Sequence, residues 1–83
     1  MEEFNIEHLL EEPILREKQF REILRNIDWE QYRNQKVVIK GCSQIEIPTW
    51  AYLLAMSYLM KVAKSISYGE PCAAIPVFIR KES

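Results

Sequence analysis

The two cysteines of this chain each follow one of its two glycines, in the segments Gly41-Cys42-Ser43 and Gly69-Glu70-Pro71-Cys72. Both segments come directly after a short apolar run of the kind that forms β-strands. Thiolates bind transition metals and act as nucleophiles, and glycine supplies backbone conformations that other residues rarely adopt. If the chain has one chemical site, its residues predict that site at these two loops.

An apolar stretch of helical length separates the two strand-like runs, which predicts a β-α-β crossover. The strands of such a crossover are parallel and end at the same edge of the sheet, where ligands of open α/β sheets bind. We therefore expect Cys42 and Cys72 to approach each other at that edge as metal ligands. The residues expected to line the same site for a cofactor or small ligand belong to the two loops: Gly41, Ser43, Gly69 and Glu70.

Several interpretations of the cysteine pair stay open. Two thiolates supply half of a tetrahedral zinc or iron site, whose other ligands would come from Glu46, Glu70, His8 or the cysteines of a second chain. Cys42 also precedes a proline-initiated helix, whose dipole favours the thiolate of a redox or nucleophilic group. A disulfide requires Cα atoms within about 7 Å of each other. Two inert cysteines packed beneath the loops are the last alternative.

No pattern in the sequence assigns a catalytic residue. The chain has no phosphate-binding fingerprint, no zinc-finger spacing and no recognisable triad. We expect His8, which has no cysteine near it in sequence, to be exposed or hydrogen-bonded. Eleven basic and twelve acidic residues give a formal net charge of -1, which argues against a dedicated nucleic-acid binder.

The sequence also bears on the compartment. The acidic start, Met1-Glu2-Glu3-Phe4, lacks the basic and apolar regions of a secretory signal. The apolar stretch from Ile47 to Met60 is shorter than the ~20 residues of a membrane span. We expect a cytoplasmic protein without a membrane segment, in which the thiols are kept reduced.

Two main helices are expected. The first runs from Pro13 to Asn26, because apolar residues recur at helical spacing behind the proline, at Phe20, Ile23, Leu24 and Ile27. Pro48 opens the second helix, which runs to about Lys64. Between the two helices, Asp28 is expected to cap a short turn over residues 29–32.

The strands are expected to form a mixed sheet. The run Lys36–Lys40 holds three consecutive β-branched residues and predicts a strand buried on both faces. Residues 65–68 alternate as a second strand, and Ile75–Ile79 forms a last strand that its proline places at a sheet edge or at a strand start. Residues 4–7 alternate like a short strand, although the residues from Glu7 onwards fit a helical turn equally.

The second helix is apolar around nearly its whole circumference, whereas a surface helix keeps a polar face. It must therefore be covered on more than one side. The expected partner is a second copy of the chain, in a homodimer that buries Trp50, Tyr52, Met56 and Tyr58. The alternative is that the first helix and the sheet cover it within one chain, leaving only tyrosine hydroxyls and Ser57 in water.

Five segments carry motifs that are distinctive together and span most of the chain: EPILREKQFRE (12–22), DWEQY (28–32), VVIKGCS (37–43), PTWAY (48–52) and YGEPC (68–72). In these segments the chain resembles an uncharacterised bacterial family, domain-of-unknown-function family 2480. The resemblance implies that usual members of the family are about twice as long and contain two related halves. PTWAY is typical of one half and GEPC of the other. This chain combines both in one copy, which suggests that two copies pair. The resemblance implies no enzymatic activity.

Taken together, residues 1–83 are expected to form a single α/β domain, a small mixed sheet with a β-α-β crossover and two main helices. The expected function is that of a homodimeric binding or assembly module with a paired-cysteine site for a metal or small ligand. A purely structural interaction module with inert cysteines and a thiol redox protein are the alternatives.

Overall fold

Among the residues that the structure describes, the chain forms one sheet of four strands with two helices packed on it. The structure, a computed structural model, describes residues 1–41 and 44–81. The strands are β1 (Glu2–Phe4), β2 (Lys36–Lys40), β3 (Ser65–Gly69) and β4 (Ile75–Ile79), and the helices are α1 (Glu17–Arg25) and α2 (Thr49–Leu59). Short 3-10 turns lie at Glu7–Leu9 and Trp29–Tyr32.

The strands follow one another across the sheet in sequence order. β1, β2 and β3 are parallel, and β4 runs antiparallel to β3 at the far edge. The predicted mixed sheet and its β-α-β crossover are therefore confirmed. The edge position of β4 also agrees with Pro76, which has no amide hydrogen to give to a second neighbour.

Both helices pack on the same face of the sheet. One cluster of buried side chains joins the sheet to the two helices, with Phe4, Val37, Ile39 and Ile66 from the strands, Phe20 and Leu24 from α1, and Ala51, Ala55 and Leu59 from α2. The small alanines, one helical turn apart, face this core. The fold is thus a two-layer slab whose smallest dimension is 18 Å.

The other face of the sheet, which we call the open face, carries no helix or strand among the described residues. Neighbouring residues along a strand point to opposite faces, so Val38 and its cross-strand partners Glu3 and Ser67 point away from the helices. The strand residues of the open face are Glu3, Lys36, Val38, Lys40, Ser65, Ser67, Pro76 and Ile79. Val37, Val38 and Ile39 are all buried, as predicted for this strand.

Helix α1 begins later than predicted. It starts at Glu17 rather than Pro13, because Arg16 has an extended backbone and forms the N-cap. Pro13 and Ile14 lie in the exposed segment before the helix. The apolar stripe is still the packing face, since Phe20 and Leu24 are fully buried.

Helix α2 is shorter than predicted at both ends. Pro48 is its N-cap, and its last residue is Leu59 rather than Lys64. The carbonyl of Val62 accepts from the amide of Asn34 at 2.9 Å, and the amide of Lys64 donates to Gln35. These bonds attach residues 60–64 to the segment before β2, so the helix cannot continue.

The N-terminal strand was assigned to the wrong residues. It lies at Glu2–Phe4 rather than over residues 4–7, and the helical alternative for Glu7 is correct. Asn5 ends the strand, because its Oδ1 accepts a hydrogen bond from the amide of Glu7 at 3.0 Å. Within the described residues, neither helix has the length and apolar character needed to cross a membrane.

Candidate functional site

The carboxyl ends of β2 and β3 meet, as the crossover predicted. Lys40 lies opposite Gly69 in the parallel register. One residue further on, the amide of Gly41 donates to the carbonyl of Gly69 at 3.3 Å. The two loops named from the sequence therefore leave the sheet side by side.

The two glycines are required for different reasons. Gly69 has a φ of 122°, a conformation that is strained for any residue with a side chain. Gly41 has no such φ, but a Cβ atom placed on it would lie 3.1 Å from the ring of Tyr68. Gly69 therefore allows the backbone conformation of the turn, and Gly41 leaves room for the ring of Tyr68.

An ion triad joins three segments at this edge. The Nζ atom of Lys40 lies 3.1 Å from Glu70 Oε2 and 3.3 Å from Glu3 Oε1. Hydrogen bonds to Glu70 and then to Glu3 raise the pKa of Lys40 above its usual value. The lysine therefore stays charged and links β1, β2 and the loop after β3.

The second carboxylate oxygen of Glu70, Oε1, is buried and has no hydrogen-bond partner within residues 1–41 and 44–81. Glu70 also starts a turn in which the amide of Ala73 donates to its backbone carbonyl at 2.9 Å. Glu70 lies at this edge beside Lys40, and its expected role in lining a ligand site stays a prediction.

The structure describes one member of the cysteine pair. Cys72 is a free thiol on an exposed turn. Cys42 and Ser43 lie outside the described residues, so the expected approach of the two sulfurs stays a prediction. Within the described part of the chain, no group of three or more His, Cys, Asp and Glu side chains is placed to hold a metal ion.

A groove beside the ion triad was not anticipated. It has a volume of about 400 Å³ and lies at the carboxyl ends of β1 and β2, where its polar lining residues are Glu3, Asn5, His8, Tyr32 and Lys40. His8 is exposed, and its Nε2 lies 3.5 Å from Asn5 Nδ2. The one sequence signal for Lys40 was its position next to Gly41, and Glu3 had none, because β1 was assigned to later residues.

The tyrosines near the site stay protonated. Burial, followed by a hydrogen bond with Tyr68, raises the pKa of Tyr52 to about 12. Burial and then the charge of Glu2 raise the pKa of Tyr32. Raised values disfavour a phenolate base, and Lys40 already has two carboxylate partners. Among the described residues, this edge is therefore an ion-paired closure of the sheet.

The α2 residues expected in a homodimer interface also pack within the chain. Tyr52 meets Tyr68 edge to face at 5.1 Å, and Tyr58 stacks on Trp29 at 5.0 Å. Met56 packs against the core. Trp50 touches Phe20 but stays exposed, as does Leu53, which the sequence reading did not single out.

Comparison with known proteins places the chain in one family. The model of the family described as "Protein of unknown function (DUF2480)" matches residues 1–37 and 26–80. No curated protein and no solved structure matches the chain.

Proposed function

The chain belongs to the DUF2480 family of proteins of unknown function, and from its structure we propose that it is a homodimeric assembly module that acts by binding a second copy of itself. A module of this kind needs an uncovered apolar surface more than it needs a reactive group. The surface of the slab, rather than the edge with the ion triad, supports the proposal.

The area that the chain leaves exposed carries the proposal. The chain exposes 5790 Å², whereas a monomer of its size typically exposes about 5200 Å². The excess of about 600 Å² is close to the ~800 Å² that each partner contributes to a standard interface. Large apolar side chains on both layers contribute to it, including Leu53 on α2 and Ile79 on β4.

The molar mass in solution tests this proposal. Sedimentation equilibrium across the micromolar range should give twice the 9.9 kDa of the chain, because an interface of standard size supports micromolar or tighter binding. A mass that stays at that of one chain throughout this range would overturn the proposal.

The cysteines are not required by this function. A metal or small ligand held by Cys42 and Cys72 stays a prediction, and so does the reducing cytoplasm that suits free thiols. Cys72 is free and exposed, so Cys72→Ser should leave the mass in solution unchanged. A loss of the dimer in this variant would instead assign assembly to the thiol loop.

A further inference from the structure

We propose that the open face of the sheet is the contact surface of the dimer, on which a second copy of the chain packs sheet against sheet with its strands antiparallel to those of the first. This inference rests on the proposed homodimer and names the surface and the arrangement that it uses.

The open face has the composition of an interface. A shallow groove of about 370 Å³ lies across it. The small side chains of Ser65 and Ser67 form the floor of the groove, and Pro76 and Ile79 line one side. Ile79 is 69% exposed. The groove thus combines small polar side chains with an exposed apolar side, and packed sheets interdigitate large and small side chains in this way.

Strand β4 is apolar and exposed, but its edge is protected against pairing with another strand. All five of its residues are apolar. Pro76 has no amide hydrogen, and the register shifts between Ile66 and Ser67. Proline and bulges are devices that prevent edge-to-edge pairing of strands. The apolar side chains that β4 presents on the open face, Pro76 and Ile79, are therefore best covered from that face.

Charge is arranged in opposite signs at the two ends of the open face. Lys36 and Lys64 line one end of the groove, and Glu70 lies at the other end beside Lys40, whose Nζ atom the carboxylate of Glu3 also reaches from the middle of the face. The four steps of β2 between the two ends span about 13 Å. A two-fold axis perpendicular to the strands brings the basic end of each copy over the acidic end of the other, so the face is complementary to itself.

The helix layer is the competing surface. Trp50 and Leu53 lie there in a groove that also includes Ser57 and the ion pair of Glu17 with Arg21. Two-fold contacts on opposite faces of a slab generate an open fibre, whereas a dimer is closed. One face must therefore be the dimer contact, and the charge pattern favours the open face.

Two matched substitutions separate the faces. Ile79→Glu and Leu53→Glu each place a carboxylate on an exposed apolar position, 69% and 62% exposed, so neither should unfold the chain. Ile79→Glu should weaken dimerisation by about tenfold or more, since it brings a charge into the contact opposite the acidic end of the partner. Leu53→Glu should leave the dissociation constant within about twofold of the unsubstituted chain.

A charge exchange tests the antiparallel arrangement. Lys64→Glu and Glu70→Lys should each weaken the homodimer, because these residues lie at opposite ends of β3 and each variant opposes like charges twice across the two-fold axis. An equimolar mixture of the two variants should form a heterodimer, because each substituted position then meets its opposite charge. Circular dichroism should first establish that both variants are folded.

The outcomes distinguish this inference from the proposal beneath it. A monomeric unsubstituted chain would overturn both. A dimer that survives Ile79→Glu but is lost with Leu53→Glu would overturn the open face and assign the contact to α2. Sensitivity to Ile79→Glu without heterodimer formation in the mixture would overturn the antiparallel arrangement.

Discussion

Gly69 has a φ of 122°, at which any residue with a side chain is strained whatever space surrounds it. Gly69→Ala should destabilise the chain by about 1–3 kcal/mol. The comparison is Gly41→Ala, whose cost should be smaller because the half-exposed ring of Tyr68 can turn aside. Urea unfolding of both variants measures the difference, and equal costs would contradict this account.

At the residue scale, the structural roles of the glycines were easier to predict from the sequence than those of the residues beside them. A glycine that closes a strand-like run already indicates a special backbone or a close approach, and both occur here, at Gly69 and Gly41 respectively. The ion triad could not be predicted as a set, because Glu3, Lys40 and Glu70 come from three separate segments and the crossover predicted only that the last two segments meet. Their meeting depends on strand order and register, which no local pattern contains.

Arg80, the residue directly after β4, fixes the end of α2. Its guanidinium donates to the carbonyl oxygens of Ala63, at 3.1 Å, and of Met60, which lie beyond the last residue of the helix. Arg80→Leu should cost about 1–2 kcal/mol, because it leaves carbonyl groups without a donor.

The control for Arg80 is Arg25→Leu. Arg25 pairs with Glu22 on the exposed face of α1, where an ion pair contributes at most a few tenths of a kcal/mol. Thermal unfolding of the two variants should therefore differ clearly. Similar midpoints would mean that the bonds of Arg80 contribute no more than a surface pair.

At the element scale, periodicity predicted which segments are helices and strands, but not where they end. The apolar stripe with Phe20 and Leu24 follows from the helical spacing of apolar residues, which can be read from a single sequence. The end of α2 at Leu59 depends on bonds to Asn34, Gln35 and Arg80. Such bonds are tertiary, so the apolar pattern extends the helix too far.

For the whole molecule, the proposed dimer makes stability depend on concentration. Unfolding that is coupled to dissociation should raise the thermal midpoint by about 4 °C for each tenfold increase in protein concentration. Differential scanning calorimetry at several concentrations measures this slope. A midpoint that does not change with concentration would contradict a dimer that dissociates on unfolding.

The sequential order of the strands also bears on how the chain is made. Each strand lies beside the strand that precedes it in the chain, so a polypeptide leaving the ribosome can add every new strand to an edge already in place. None of the four described strands has to be inserted between two that have already paired. Synthesis can therefore complete the sheet in one direction, with β4 closing it last.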